Sequence, residues 1–162
     1  MAMDIFIKIG DLKGESRDDK HKESIDVLAW SWGMSNSGSA HTGGGAGAGK
    51  VNVQDLSFTK YIDFSSTALQ LACANGKHYP DALLTVRKAG EHPLEYLKIK
   101  MTEVLITSVS TGGSGGEDRL TENITLNFAK VHVDYQKQAA KGGADGGPAT
   151  FAWDIAGNAK TG

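Results

Sequence analysis

A chain of 162 residues is long enough to bury a core as one domain, and 17 Lys plus Arg stand against 19 Asp plus Glu. That near-balance, a formal net charge of −2, excludes nucleic-acid binding by phosphate neutralisation. No apolar run approaches the ~20 residues that span a bilayer, and the N-terminus alternates in polarity around Lys8 where a signal peptide would be continuously apolar.

Period-two alternation, the mark of a half-buried strand, dominates from the start. Ile5, Ile7 and Ile9 share one face, with Asp4, Phe6 and Lys8 on the other. Between Ile25 and Trp32 the pattern predicts a strand with Ile25, Val27, Ala29 and Ser31 on one side. Asp26, Leu28, Trp30 and Trp32 then take the opposite side. The next strand starts at Val51 and Val53 and changes phase to Leu56 and Phe58, which predicts a bulge near Gln54 and Asp55.

One helix follows. Thr67-Ala68-Leu69-Gln70 matches a capping box, with Ser65 and Ser66 as alternative caps. Leu69, Ala72 and Cys73 fall on one helical face, and Gly76 is a natural stop. Cys73 is the single cysteine, so an internal disulfide is excluded, and its place on that face predicts a small buried apolar residue.

Strands resume at 82–88, 94–111 and 120–135. In the second, Leu97, Ile99 and Met101 give way to Val104 and Ile106. In the third, Ile124, Leu126 and Phe128 give way to Val131, Val133 and Tyr135. Two long strands that both change phase, joined by Gly112-Gly113-Ser114-Gly115-Gly116, predict a bent hairpin. A linker at 141–148 leads to a last strand at 150–155, with Phe151, Trp153 and Ile155 on one face, and a tail to 162. The expectation is a single all-β domain over 1–162, a β-barrel of two sheets with one flanking helix.

Gly44-Gly45-Ala46-Gly47-Ala48-Gly49-Lys50 imitates a phosphate-binding loop but fails it twice: Val51 replaces the magnesium-ligating hydroxyl, and a strand pattern replaces the helix. His21, His41, His78, His92 and His132 form no short pair with a cysteine and no zinc-protease motif. His132 and Asp134 share a strand face, which reads as a solvated or interface pair, since metals need three or four ligands. Trp30 and Trp32 read as packing, and no serine stands in a nucleophile elbow: Gly112 to Gly116 fits the letters GxSxG but joins two predicted strands where an elbow leads from a strand into a helix. No cofactor or metal and no catalytic residue is expected. The segment 33–49 carries seven glycines, too many and too long for an ordinary turn. It is either a disordered loop or an arm that orders against a neighbour.

Five segments carry a resemblance: MDIFIKIGDLKGES (Met3 to Ser16), VLAWSWGMS (Val27 to Ser35), VNVQDLSFTKYID (Val51 to Asp63), CANGKHYP (Cys73 to Pro80) and STGGSGGEDRLTENITLNFAKV (Ser110 to Val131). Together they resemble the hemolysin-coregulated protein family, the tube protein of bacterial type VI secretion. The match weakens after Gln136.

The resemblance implies a two-sheet β-barrel whose copies form hexameric rings stacked into a hollow tube. A contractile sheath would drive that tube, capped by a spike protein. Small effectors would ride inside the ring, and the protein, made in the cytoplasm, would itself be secreted without a signal peptide. It also implies that the extended loop reaches a neighbouring subunit or ring, with Gly43, Gly44, Gly45, Ala46, Gly47, Ala48 and Gly49 as contact candidates. Ser31 and Ser114 are the candidates for cargo contact: Ser31 lies opposite the tryptophans, and Ser114 sits amid four glycines. The competing readings are a soluble ligand-binding β-barrel and an uncharacterised enzyme, the second disfavoured by the lack of paired catalytic residues.

Overall fold

The computed structural model describes residues 3–38, 50–90 and 93–162, and the alternating segments within them become strands. They are β1 (Met3–Ile9), β2 (Ile25–Asp26), β3 (Ala29–Ser31), β4 (Met34–Ser35), β5 (Asn52–Val53) and β6 (Leu56–Tyr61). After one helix, α1 (Ser66–Asn75), come β7 (His78–Lys88), β8 (Leu94–Gly112), β9 (Thr121–Tyr135), β10 (Ala149–Asp154) and β11 (Ala159–Lys160). The predicted all-β fold with one helix is what forms. Beyond the prediction are the short β4 and β11, and an earlier start to β7, which runs through Pro80.

Every ladder is antiparallel. One sheet runs β2-β1-β7-β8-β9-β10-β11, and the first half of β9 also pairs with β6, which pairs with β3. All of these strands form one nine-stranded sheet, and a single short segment carries the chain from β2 to β3. At its start, Ile25 and Asp26 pair with Ile7 and Phe6 of β1. At its end, Ala29, Trp30 and Ser31 pair with Thr59, Phe58 and Ser57 of β6. Between them the Val27 amide donates to the Ile5 carbonyl at 2.9 Å and the Leu28 amide to the Thr59 carbonyl at 2.8 Å. Hydrogen bonding therefore runs a full circuit through β1, β7, β8, β9, β6 and this crossing.

The crossing corrects one expectation. Ile25 and Val27 are buried, but Ala29 and Ser31 are exposed while Trp30 and Trp32 pack half-buried on the core. Passing from the β1 ladder to the β6 ladder rotates the chain, so the inward face changes at Leu28.

The phase changes in the long strands have a common cause. Buried Tyr79 and Ala82, Met101 and Val104, and Phe128 and Val131 flank one row across β7, β8 and β9. In that row Pro80, Glu103 and Ala129 have no ladder partner, and Glu103 has φ +58°. Pairing resumes in the same register beyond it, so the three strands bend together without slipping. Pro80, lacking an N–H, sacrifices no ladder bond there. Nearer the hairpin, the register shifts between Ile106 and Ser108, making Thr107 a one-residue bulge.

Inside the circuit lie fully buried side chains including Ile7, Ile9, Phe58, Leu84, Ile99, Met101, Ile124 and Leu126. Each contributes roughly 1.5–3 kcal/mol by leaving water. Helix α1 adds Leu69 and Ala72, with Cys73 half-buried against the same core. Ser65, one of the two alternative caps, is the N-cap but makes no side-chain cap bond, and Thr67 of the capping-box pattern is exposed. Asp63 organises the turn instead, accepting from the Ser65 amide at 2.8 Å, while its own amide donates to Ser66 Oγ at 2.9 Å. The helix stops at Gly76, φ +70°, as expected of a left-handed cap.

A buried polar cluster seals the junction of α1 with the sheets. Lys60 and Glu122, cross-strand partners on β6 and β9, are fully buried and paired through Lys60 Nζ and Glu122 Oε2. Lys60 also meets Asp63 Oδ1 at 3.0 Å and donates to Ser66 Oγ at 3.2 Å. Ser66 Oγ donates to Glu122 Oε2 at 2.5 Å. Glu122 Oε1 has no hydrogen-bond partner among the described residues, so desolvation offsets part of the attraction.

Residues 10–24 form a strap over the outer side of β1 and β7. Its two limbs meet where the Gly14 amide donates to Glu23 O at 2.7 Å; a Cβ on Gly14 would lie 2.5 Å from the Ser24 carbonyl oxygen. Arg87 fastens the strap to the sheet, donating to Asp18 Oδ1 at 2.6 Å, Asp18 Oδ2 at 3.0 Å and Asp4 Oδ2 at 2.9 Å. His21 stacks on Phe6 at 4.4 Å between ring centres and pairs with Glu95 at 2.6 Å. The Arg87 hydrogen bonds hold the Asp18 carboxyl at about 2, below its ordinary 3.8.

Removing one member of the buried pair leaves the other charge unpaired. Glu122→Ala should lower unfolding free energy by about 3–5 kcal/mol in urea titration, whereas Lys60→Met with Glu122→Leu should recover most of it. A single-variant loss below about 1 kcal/mol would refute the seal. The strap predicts a pH effect of defined sign. Because folding depresses the Asp18 pKa, its contribution is complete above the ordinary 3.8 and fades as pH falls through about 2. The stability gap between wild type and Asp18→Asn should therefore be constant near neutrality and close below roughly pH 4; a gap unchanged down to about pH 2 would contradict it.

Candidate assembly and cargo surfaces

Alternation places short, uncharged side chains opposite the core along four strands, β3, β6, β9 and β8. One row across the sheet reads Ser31, Ser57, Thr125, Ser108; the next reads Ala29, Thr59, Asn123, Ser110. Ser57 Oγ lies 3.2 Å from Thr125 Oγ1, and Thr59 Oγ1 donates to Asn123 Oδ1 at 2.7 Å. None of the eight is charged and none is a large apolar residue. The outer face is fixed by what packs behind it: Phe58 and Ile124 are buried, and Trp30 and Val109 are half-buried on the core. Charge appears at the margins. Asp55 accepts from Asn127 at 2.9 Å and Thr107 at 3.2 Å on one side, and the Arg119 guanidinium stands 3.8 Å over the Tyr61 ring on the other.

Ser31 is exposed within this face. Ser114 is exposed in the loop between β8 and β9, where its carbonyl accepts the Glu117 amide at 3.2 Å. The two thus lie on one sheet, Ser31 in a row of four hydroxyl residues and Ser114 in the loop at the sheet's end. Sequence reasoning missed the six partners Ser57, Thr59, Ser108, Ser110, Asn123 and Thr125. Their alternation with Phe58, Ile124 and Val109 carried the signal.

The contact candidates Gly43 to Gly49 lie outside the described residues, but the chain on either side of them is described. Met34 and Ser35 pair with Val53 and Asn52. Trp32 Nε1 donates to the Gln54 carbonyl at 3.0 Å, and the Gln54 amide to the Gly33 carbonyl at 2.9 Å. Where a bulge in one strand was expected, near Gln54 and Asp55, the chain instead ends β5, paired with β4, and begins β6 in the large sheet. After Lys50 the chain enters β5, a strand, so the residues that imitate a phosphate loop lead into no helix.

His132 and Asp134 do meet, at 3.0 Å and partly exposed, with Thr150 Oγ1 donating to the same carboxylate at 2.8 Å. The Thr150 hydroxyl, then His132, pulls the Asp134 pKa down. Among the described residues no group of three or more His, Cys, Asp or Glu is placed to hold a metal ion. His41 and His92 lie outside them.

Comparison with known proteins fits this arrangement. The family model described as "Type VI secretion system effector, Hcp" matches residues 6–135. The chain is 70% identical to protein hcp1 of Pseudomonas aeruginosa over 156 residues, 96% of each chain. The solved structure of Hcp1 from Salmonella typhimurium is 41% identical, with TM-score 0.82 over 99% of this chain and all of that one. A type VI secretion system effector from Yersinia pestis is 38% identical, with TM-score 0.77 over 94% of this chain and 100% of its own. With the family model spanning most of the chain and close relatives aligned nearly end to end, the protein belongs to the Hcp family of the type VI secretion system.

Proposed function

We propose that this chain is a structural subunit of the type VI secretion tube. Hexameric rings of it stack into a hollow conduit, and the uncharged hydroxyl face lines the bore. The two rows of eight small residues carry this reading. A wall that passes other proteins must not trap them. Charged groups would hold oppositely charged cargo, and apolar groups would hold any partly exposed core. Ser, Thr, Asn and Ala offer only weak, exchangeable hydrogen bonds that water competes for. The same face gives small effectors a shallow polar seat, with Ser31 in the wall and Ser114 on the loop beside it.

Cyclic closure requires that one patch meet a different patch on the neighbour. The arm rooted at β4 and β5, carrying Gly43 to Gly49, supplies reach toward a neighbouring subunit or ring. The sheath and spike are the external partners, and the ring leaves the cell with the tube. The protein performs no catalysis in this role.

Native mass spectrometry of the purified chain at micromolar concentration should give a hexamer; a monomer would overturn the ring. Ser31→Gln and Ser114→Gln place longer side chains in the bore. Each should reduce effector co-purification while leaving the ring intact and unfolding free energy within about 0.5 kcal/mol. Undiminished cargo recovery removes both residues from the seat, and loss of the ring along with the cargo assigns them a structural role.

A further inference from the structure

Two groups of exposed apolar side chains differ in shape. The first is a knob. Phe64, in the turn before α1, is 73% exposed, and Leu71 on the helix's outer side is 63% exposed. Exposed Ile62 lies beside them in sequence, its amide donating to the Leu120 carbonyl at 2.9 Å. Helix α1 contains no charged residue, so both its faces are weakly polar. The knob has a carboxylate at its base: Glu15 Oε2 accepts the Phe64 amide at 2.6 Å.

The second group is a socket. A groove of about 700 Å³ is lined by Met3, Ala89, Tyr96 and Tyr135, with Lys88 on its rim. Tyr96 and Tyr135 meet edge to face, 6.4 Å between centres at 84°, and Tyr96 Oη reaches Met3 Sδ at 2.9 Å. Met3 is nonetheless 59% exposed. Lys88 Nζ donates to Gln138 Oε1 at 3.1 Å and meets no carboxylate among the described residues.

Knob and socket sit at opposite ends of β9. Tyr61, just before the knob, pairs with Thr121, whereas Tyr135 lines the socket. The strand path between Thr121 and Tyr135 is ~45 Å at the usual rise, so the two are remote within one chain. An aromatic knob with an acidic base and an aromatic-walled groove with a cationic rim are complementary in shape class, polarity and charge. We infer that Phe64 of one copy seats in the Met3, Ala89, Tyr96 and Tyr135 groove of a second copy, with Glu15 facing Lys88. The contact is heterologous: each copy so engaged still offers an unused knob or socket, which lets it close a ring or propagate along a stack. This contact rests on the self-assembly reading above and names the surfaces that carry it.

The test co-expresses two differently tagged chains, Phe64→Cys and Ala89→Cys, both in a Cys73→Ser background, followed by a short bismaleimide. The expected product is a covalent pair containing one chain of each kind, with neither chain linking to itself when expressed alone. Separately, Phe64→Ser should weaken self-association at least about tenfold, as loss of a buried aromatic anchor does, with an unchanged melting temperature as the check on folding. Intact wild-type rings with no mixed product, or a Phe64→Cys chain that links to itself, would overturn this contact and leave the ring reading standing. A wild-type protein that stays monomeric overturns both.

Discussion

A sheet of antiparallel strands has two edges, each a row of unsatisfied N–H and C=O groups that would template pairing with any other chain. Here the open edges of β1 and β6 are both covered by the segment from Ile25 to Ser31, which completes the ladder of β1 and then, within two residues, that of β6. Much of the rest depends on this crossing. It brings the outer faces of β3, β6, β9 and β8 into one surface, sets Trp30 and Trp32 inward, and delivers the chain at Gly33 to the root of the arm. A strand that kept one face inward along its whole length could close only one of the two ladders.

Closure also explains where polar groups are tolerated inside. At the end of β6 the inward position falls to Lys60, and its cross-strand partner is Glu122. Taken singly, either charge there would cost several kcal/mol. Together with Ser66 and Asp63 they form a compact network that joins β6, β9 and the start of α1. Such a network specifies geometry more than it stabilises: its hydrogen bonds are satisfied only when the helix begins at one residue in one orientation. The displaced capping box follows from the same cause. Ser66 is recruited by the buried carboxylate, and Asp63 takes over the organisation of the turn.

The surfaces then divide by chemistry. The wall of Ser, Thr, Asn and Ala is uncharged and offers little to hold a passing protein. The strap side of β1 and β7 is dense with ion pairs around Arg87, and the two ends of β9 carry exposed aromatics.

Residue alternation alone determined most of the strands, the change of phase near Gln54 and Asp55, the paired bends of β8 and β9, and the glycine stop at Gly76. These are local consequences of which side chains can face a core, written at period two or in one residue's dihedral angles. That Ser31 and Ser114 are exposed was also legible, because a small residue opposite two tryptophans and a serine amid glycines are local patterns. Only the tertiary structure decided that Ser31 stands in register with Ser57, Thr125 and Ser108, since cross-strand register between segments far apart in sequence leaves no local trace. The rotation at Leu28, the Lys60–Glu122 seal and the strap over Phe6 were likewise beyond the sequence. Each is a long-range pairing in which a polar residue sits inside, or an apolar one outside, because of a partner contributed by a distant strand.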